Sequence, residues 1–410
     1  MMSKILSLPR EIVVDIVSRL PISSLLQIKL VCKSWRQLLQ DPHLPSLHFS
    51  RLKTTMSSDP CLILHSRNCA HNELYFLDMC SLVKEDDGHP NENKLKKLVV
   101  PPTILKFVVL GSCRGILCFA NLSQRAAIYL YNPLLAELKE IPKTICGPSY
   151  NMGFGFHQET KEYKLVTIVA VVDRDSLRFR TARSSGSALS VITLTAQNGT
   201  RPNEPTSWRR LGLVPYHFVV HQAHQVLVSG RLHWTAFRRT RGPNKHVVVS
   251  FDLSDEVVRE VPMPPICSCE RNCRCKLELM VAGARLGIVE YDVGGEIKIW
   301  VMMDYGAEES WANEINIDGV DINRDGDETI PSDTIGSARR SRTYFHETSD
   351  FRVLWVMRNG EVLLEYKRRG LICYDPRNRT WRDVLPQGGG LFVNGFNAFV
   401  HDGSFSEIDC

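Results

Sequence analysis

Several things this chain lacks narrow its class before any motif is read. In 410 residues no run approaches the ~18 apolar residues that a membrane-spanning helix requires. The opening stretch, Met1 to Glu11, has no continuous apolar segment and no small-residue cleavage site, so no secretory leader is expected there. An excess of one charge is missing too. The 50 Lys and Arg against 45 Asp and Glu leave +5, too little to argue for a nucleic-acid partner. There is no Gly-x-Ser-x-Gly elbow, no P-loop and no His-Glu-x-x-His helix. The 13 cysteines form no even, regularly spaced framework, and a chain of this length needs no disulfides. They are read as reduced thiols of a cytoplasmic or nuclear protein, in which the sequons at Asn121, Asn198 and Asn378 carry no glycan. A hydrophobic fraction of 43% with 23% charged residues excludes a disordered, collagenous or coiled-coil chain.

What is present changes its period along the chain. Residues 5–50 repeat at helical spacing and residues 60–400 at strand spacing. Ile12, Val13, Ile16, Val17 and Leu20 form a first helical stripe, with Pro9 suited to a first turn and Glu11 complementing the helix dipole. Pro21 stops that helix. Ser24 with Gln27 reads as a capping box for a second helix, on which Leu25, Ile28 and Val31 follow. Cys32, Trp35, Leu38 and Leu39 continue the stripe until Asp41-Pro42. Three short helices cannot enclose a proper core, so this module is expected to complete its core on a partner or on the next domain.

From residue 60 short apolar runs alternate with Gly, Pro, Asn and Asp. Leu62-Ile63-Leu64, Phe107-Val108-Val109-Leu110, Ile128-Tyr129-Leu130-Tyr131, Val247-Val248-Val249-Ser250-Phe251 and Phe351-Arg352-Val353-Leu354-Trp355-Val356 are examples. About two dozen such runs, with no long amphipathic helix among them, predict an all-β fold. An internal repeat narrows the choice. Gly115-Ile116-Leu117-Cys118 is followed by Tyr131-Asn132-Pro133 and Ile141-Pro142. Gly230-Arg231-Leu232-His233-Trp234 is followed by Phe251-Asp252-Leu253 and Val261-Pro262. Gly360-Glu361-Val362-Leu363 is followed by Tyr374-Asp375-Pro376 and Leu385-Pro386. The distance from Asn or Asp to the closing Pro is 10, 10 and 11 residues, which predicts a hairpin plus one further strand. Copies begin 115 and 130 residues apart, so divergent units must lie between them. Propeller blades take about 40–50 residues, and two dozen strands favour six blades, with seven as the alternative. Long excursions between strands are expected over Asp173–Ser187 and Asp318–Arg342.

Four thiols fall within nine residues at Cys267, Cys269, Cys273 and Cys275. Their C-x-C-x3-C-x-C spacing is not the paired C-x2-C of zinc ribbons, and residues one apart in an extended segment point to opposite sides. A polar inter-strand loop without metal is expected there. Asp321-Ile322-Asn323-Arg324-Asp325-Gly326-Asp327 opens like a calcium loop, but position twelve is Ser332 where the motif needs a bidentate Glu. Cys61, His65, Cys69, His71 and Cys80 read as a core strand plus a turn. Arg238-Arg239-Thr240-Arg241, Arg339-Arg340-Ser341-Arg342 and Lys367-Arg368-Arg369 read as solvated loops, although a rim patch of this kind suits an acidic or phosphorylated partner.

Leu8-Pro9-Arg10-Glu11-Ile12, Ile16-Val17-Ser18-Arg19-Leu20-Pro21, Ser24-Leu25, Lys29, Val31-Cys32-Lys33 and Trp35 stand in the order and spacing of an F-box. The remainder resembles the F-box-associated, kelch-related domain of the large plant F-box family. The residues that carry this are Gly111-Ser112-Cys113-Arg114-Gly115 with Tyr131-Asn132-Pro133, and Gly153-Phe154-Gly155-Phe156 with Lys161-Glu162-Tyr163-Lys164-Leu165-Val166. Ile299-Trp300-Val301-Met302 with Tyr305-Gly306 and Glu309-Ser310-Trp311 completes the set. Gly294-Gly295 and Gly388-Gly389-Gly390 do not fall into the standard kelch pattern. The resemblance implies a small three-helix F-box over 1–50, a linker over 51–60 and a β-propeller over 61–410. It also implies a non-catalytic substrate receptor of an SCF-type cullin-RING ubiquitin ligase. Leu8, Pro9, Ile12, Leu20, Pro21, Val31, Cys32 and Trp35 would face a Skp-type adaptor, with cullin and RING subunit beyond it. The alternative for some of these apolar residues, Ile16 and Leu25 above all, is that they only hold the three helices together. The propeller would take an unidentified protein substrate, and neither cofactor nor membrane is implied. Two alternatives stay open: an F-box scaffold outside a ligase, and a propeller that binds a small molecule in its central channel.

Overall fold

A computed structural model describes residues 8–28, 31–41, 43–54, 60–66, 73–79, 95–100, 104, 107–121, 127–141, 151–172, 184–195, 207–218, 226–238, 245–266, 276–292, 296–317, 351–366, 370–385, 392 and 395–401. The chain opens with helices α1 (Arg10–Val17), α2 (Ile22–Ile28), α3 (Lys33–Leu39) and α4 (Leu44–Thr54). Pro9 precedes α1 with φ −51° and ψ 142°, and its carbonyl accepts the Ile12 and Val13 N–H groups. The Pro21 carbonyl does the same for Ser24 and Leu25, so α2 begins at Ile22. Ser24 therefore sits inside the helix and does not cap it. The capping-box reading was wrong because Pro21 already starts the turn. After the three expected helices comes a fourth, which carries the helical region past residue 50.

Helix α4 is fastened to α1. Arg51 donates to the Asp15 carbonyl at 2.6 Å and bonds the Asp15 carboxylate and the Ser18 hydroxyl. His48 Nε2 donates to the Leu20 carbonyl at 3.0 Å. Asp41, at the bend into α4, pairs with Arg10 at 2.9 Å and accepts the His43 N–H at 3.0 Å. Inside, Val13, Val14, Val17, Leu25, Trp35, Leu39 and Leu44 are buried. Their cluster runs without a break into Cys61, Ile63, Leu74 and Phe76 and on into Phe119, Tyr129, Tyr131 and Leu134 of the β region. The helices complete their core on the next domain.

That domain is six antiparallel sheets. Strands β1 (Cys61–Ser66), β2 (Leu74–Asp78) and β3 (Lys96–Leu98) belong to blade 1. Blade 2 holds β4 (Phe107–Cys113), β5 (Ile116–Asn121), β6 (Ala127–Asn132) and β7 (Glu137–Ile141). Blade 3 holds β8 (Asn151–His157), β9 (Glu162–Val172), β10 (Ser184–Thr195) and β11 (Arg209–Val214). In blade 4, β12 (Tyr216–Phe218) and β13 (Val226–Val228) both pair with β14 (Arg231–Arg238), followed by β15 (Lys245–Asp252) and β16 (Val258–Val261). Blade 5 is β17 (Lys276–Ala282), β18 (Arg285–Tyr291), β19 (Ile297–Met302) and β20 (Trp311–Ile317). Blade 6 is β21 (Phe351–Val356), β22 (Val362–Tyr366), β23 (Gly370–Asp375) and β24 (Thr380–Leu385). The last strand, β25 (Phe396–His401), returns to pair with β1 and completes blade 1. Inner strands of successive blades adjoin around the ring, from β4 to β8 and finally from β21 to β25 and back to β4. This is a six-bladed propeller closed by its own C-terminal strand, which leaves no open blade edge at the junction.

The three repeat copies are blades 2, 4 and 6. In each, a glycine with φ of +79°, +71° or +88° (Gly115, Gly230, Gly360) turns the inner hairpin. In each, the Asn or Asp ends the third strand and caps the next turn. Asn132 Oδ1 accepts the Leu134 N–H at 2.9 Å, Asp252 the Ser254 N–H at 2.8 Å and Asp375 the Arg377 N–H at 2.9 Å. Four residues after that cap the backbone turns left-handed, at Ala136, Glu256 and Arg379. The divergent units between copies are blades 3 and 5. The excursion expected over Asp173–Ser187 ends early, because Ser184 already begins β10 and pairs with Val172. The excursion expected over Asp318–Arg342 lies outside the described residues.

Candidate functional site

Helix α1 is apolar on two sides. Val13, Val14 and Val17 face the core. Leu8, Ile12 and Ile16 recur every fourth residue on the other side and are 42%, 49% and 41% exposed. Val31, before α3, is 48% exposed. Among the described residues the other exposed large apolar side chains are Val99, Leu213, Val257, Met303 and Trp381, scattered over the propeller. Four of the nine exposed large apolar side chains among the described residues therefore fall within residues 8–31, a concentration that points to an interaction surface where scattered single residues do not.

The residues expected at a partner face divide as follows. Leu8, Pro9, Ile12, Pro21, Val31 and Cys32 are exposed, and Leu20 is half-buried. Trp35 is 5% exposed and belongs to the core beneath, which is a correction to its reading as a surface contact. Ile16, expected to hold the helices together, is instead on the surface. At 100° per residue it cannot share the inner stripe already filled by Val13, Val14 and Val17. Leu25 is fully buried, as expected. A rim of Arg10, Glu11, Arg19, Lys33 and Arg36 surrounds the apolar residues in the sequence and is exposed. Hydrogen bonds from Arg51 first, then Arg19, hold the Asp15 carboxyl below its ordinary range. The Arg51 clamp was not read from the sequence, because nothing local marks residue 51 as a partner of residue 15. Covering each of these apolar side chains would contribute roughly 1.5–3 kcal/mol before the costs of association.

Several polar side chains of the propeller join neighbouring blades. Between blades 1 and 2, Ser112 Oγ and His401 Nδ1 share a 2.6 Å hydrogen bond, and the His65 ring stacks on Phe107 at 4.8 Å. Arg114 lies 4.1 Å from the centre of the Phe156 ring between blades 2 and 3. Buried Lys164 of blade 3 donates to the Leu253 carbonyl at 2.6 Å and to Glu256 at 2.8 Å in blade 4. Burial alone would raise the Glu256 pKa; hydrogen bonds and charge from Lys164 and Arg209 outweigh it and hold it below its usual value. His233 Nε2 meets the Tyr305 hydroxyl at 2.8 Å between blades 4 and 5. Burial lowers the His233 pKa to about 4, so the ring is neutral.

Arg352 on β21 bonds Glu365 at 2.8 Å and the Ala398 carbonyl at 3.4 Å, and lies 3.9 Å from Glu278 on β17, joining blades 5, 6 and 1. Among the described residues no group of His, Cys, Asp or Glu is placed to hold a metal. Cys61 and His65 are buried on β1, as a core strand requires. Burial pushes the Cys118 thiol well above its usual pKa, so it is not a nucleophile. Cys69, His71, Cys80, Cys267, Cys269, Cys273, Cys275, the Asp321–Asp327 segment and most of the three basic runs lie outside the described residues. Among the described residues no helix is long and apolar enough to cross a membrane.

Comparison with known proteins bears on both parts. The family model described as F-box-like matches residues 5–44, and the F-box associated beta propeller domain matches residues 76–361. Blade 6 beyond β21 and the closing strand β25 lie past that match yet belong to the same ring. Among relatives, F-box protein At3g07870 of Arabidopsis thaliana is 35% identical over 419 residues, covering 98% of this chain and 92% of the relative. F-box/kelch-repeat protein At3g23880 of the same plant is 25% identical over 388 residues, covering 91% and 88%.

Proposed function

This chain belongs to the F-box proteins with an F-box-associated β-propeller, and from that premise we propose that it is a substrate-recognition subunit of an SCF-type cullin-RING ubiquitin ligase. The observation that carries the reading is the apolar surface of Leu8, Ile12, Ile16 and Val31 on a small helical module whose core is already complete. Apolar side chains that the chain leaves uncovered need a partner, and here the partner is a Skp-type adaptor. Ile12 and Ile16 are the central anchors, with Leu8, Pro9, Pro21, Val31 and Cys32 around them and Leu20 at the edge. Trp35 supports this surface from inside. The adaptor brings the cullin and the RING subunit, which carries the conjugating enzyme, so ubiquitin transfer takes place elsewhere in the complex. This chain presents the target protein on its propeller and does no chemistry itself. It works in the cytoplasm, the nucleus or both.

The decisive experiment is a pull-down of the full-length protein against Ile12→Asp with Ile16→Asp, probed for a Skp-type adaptor and a cullin. The wild type should bring down both and the variant neither, with unchanged thermal unfolding. If the folded variant still retains the adaptor, this face is not the docking surface. Adaptor without cullin would favour a scaffold acting outside a ligase.

A further inference from the structure

The same turn recurs in blades 2, 4 and 6, and in two of the three it has a visible job. In blade 2 it is apolar: Leu134 belongs to the core cluster that also contains the F-box side chains, and Leu135 packs against that cluster. In blade 4 it is acidic: Asp255 pairs with Arg259 at 2.5 Å, and Glu256 takes Arg209 at 2.7 Å and Lys164 at 2.8 Å. In blade 6 it is basic, Arg377-Asn378-Arg379, and both arginines are exposed.

The neighbouring turn, between β21 and β22, adds exposed Arg358. The two turns touch. A terminal nitrogen of Arg377 lies 3.4 Å from where a Cβ would stand at Gly360, and Arg382 reaches across to Glu361 at 2.8 Å. Strands in a blade alternate in direction, so both turns open on one face of the ring.

Arg358, Arg377 and Arg379 form no salt bridge among the described residues, although the Arg377 charge acts on the Asp375 carboxylate of its own turn. Elsewhere on the propeller Arg209, Arg231, Arg238, Arg259 and Arg352 are all paired. Exposed Arg210 and Arg285 stand apart from the cluster. The nearby carboxylates are mostly committed. Glu361 holds Arg382, and Asp375 accepts the Arg377 N–H at 2.9 Å and the Asn378 side-chain amide at 2.8 Å. Asp383 lies further along β24. Beside the turn, Trp381 is the only one of the seven tryptophans that is exposed.

We propose that these two turns of blade 6 dock an acidic segment of a partner protein, independently of the adaptor face. Arg358, Arg377 and Arg379 hold its carboxylate or phosphate groups, and Trp381 takes an apolar side chain next to them. Guanidinium forks bind such oxyanions bidentately, and Arg and Trp are the residues that anchor protein interfaces. A protein segment fits better than a nucleic acid. Among the described residues the equivalent turns are apolar in blade 2 and acidic in blade 4, so of these three turns only that of blade 6 is basic, whereas a phosphate backbone would need a longer basic track.

The test is fluorescence anisotropy with the full-length protein and a labelled peptide of Glu, Asp, phosphoserine and Leu. Saturable binding should weaken as salt shortens the Debye length from about 14 to about 6 Å. Arg377→Glu with Arg379→Glu should reduce affinity tenfold or more, and Trp381→Ala severalfold. Arg210→Glu with Arg285→Glu, which moves the same charge elsewhere, should leave it unchanged. The proposal falls if the peptide shows no saturable binding, if the control pair loses as much, or if a single-stranded oligonucleotide of equal charge binds more tightly. Adaptor pull-down of Arg377→Glu with Arg379→Glu should match wild type, which separates failure of this patch from failure of the ligase reading.

Discussion

Ile16 and Leu25 look alike in the sequence, both apolar and both at helical spacing. The structure sends one outward and the other inward. Truncation should therefore separate them. Leu25→Ala removes a fully buried side chain and should cost about 2–5 kcal/mol in denaturant unfolding. Ile16→Ala should stay within about 0.5 kcal/mol of wild type and weaken adaptor pull-down instead. Equal destabilisation by both would mean that Ile16 is part of the core. Gly153 makes a different point. Its place in Gly153-Phe154-Gly155-Phe156 was legible as a motif, but its reason is tertiary. A Cβ there would stand 2.6 Å from the Trp234 ring and 2.8 Å from Leu232. Gly153→Ala should lower stability by roughly 1–3 kcal/mol, measured by thermal unfolding, because a buried indole has little room to yield.

Among the elements, the repeated turn was the most legible. Its Asn or Asp, the Gly before it and the spacing to the last strand all follow from local backbone chemistry, and the structure places them as read. What each turn then touches was not legible, since its neighbours come from another blade or from the helices. The junction of blades 4 and 5 shows the same limit. His233 and Tyr305 are 72 residues apart and meet only in the ring.

That junction predicts a pH dependence. Burial lowers the His233 pKa from 6.5 to about 4, so below pH 6.5 the unfolded chain takes up the proton first. The stability this residue contributes is complete above pH 6.5 and falls as pH drops toward 4, by up to about 3 kcal/mol. His233 faces Tyr305, Ser250 and the ion pair of Arg231 with Asp252, 2.7 Å apart. Glu256 adds to the acid side: its lowered pKa gives stability that is present above its ordinary value of 4.5 and lost below it. Thermal unfolding compared at pH 7.0 and 5.0 should show a drop that His233→Gln reduces, since the Glu256 contribution is lost mainly below its ordinary value of 4.5. A drop of the same size in the variant would show that other groups are responsible.

For the whole molecule, two closures matter. Strand β25 pairs with β1 along its whole length, so the ring is held by residues at opposite ends of the propeller. Truncation before residue 396 should remove the inner strand of blade 1 and abolish cooperative unfolding, read by calorimetry. The second closure is the unbroken core from α1 to blade 2. Helical and β signals should therefore melt in a single transition by circular dichroism at two wavelengths. A separate early transition of the helices would show that the F-box is only tethered. Removing residues 1–50 should uncover Leu134, Leu135 and their neighbours, so point variants are the better probe of adaptor binding.

By itself the sequence determined the change from helical to strand period, the F-box motif, the propeller and the thrice-repeated turn. Each of these rests on interactions between residues close in the chain: periodicity, turn caps and glycine at positive φ. Tertiary structure alone decided that Trp35 is core and Ile16 surface, that α4 locks α1 through Arg51, and that the turns of blades 2 and 4 are engaged by other segments while the arginines of the blade 6 turn form no salt bridge among the described residues. These outcomes depend on which distant segment arrives at a given surface. Burial and ion pairing are properties of that meeting, and no local pattern of side chains encodes them.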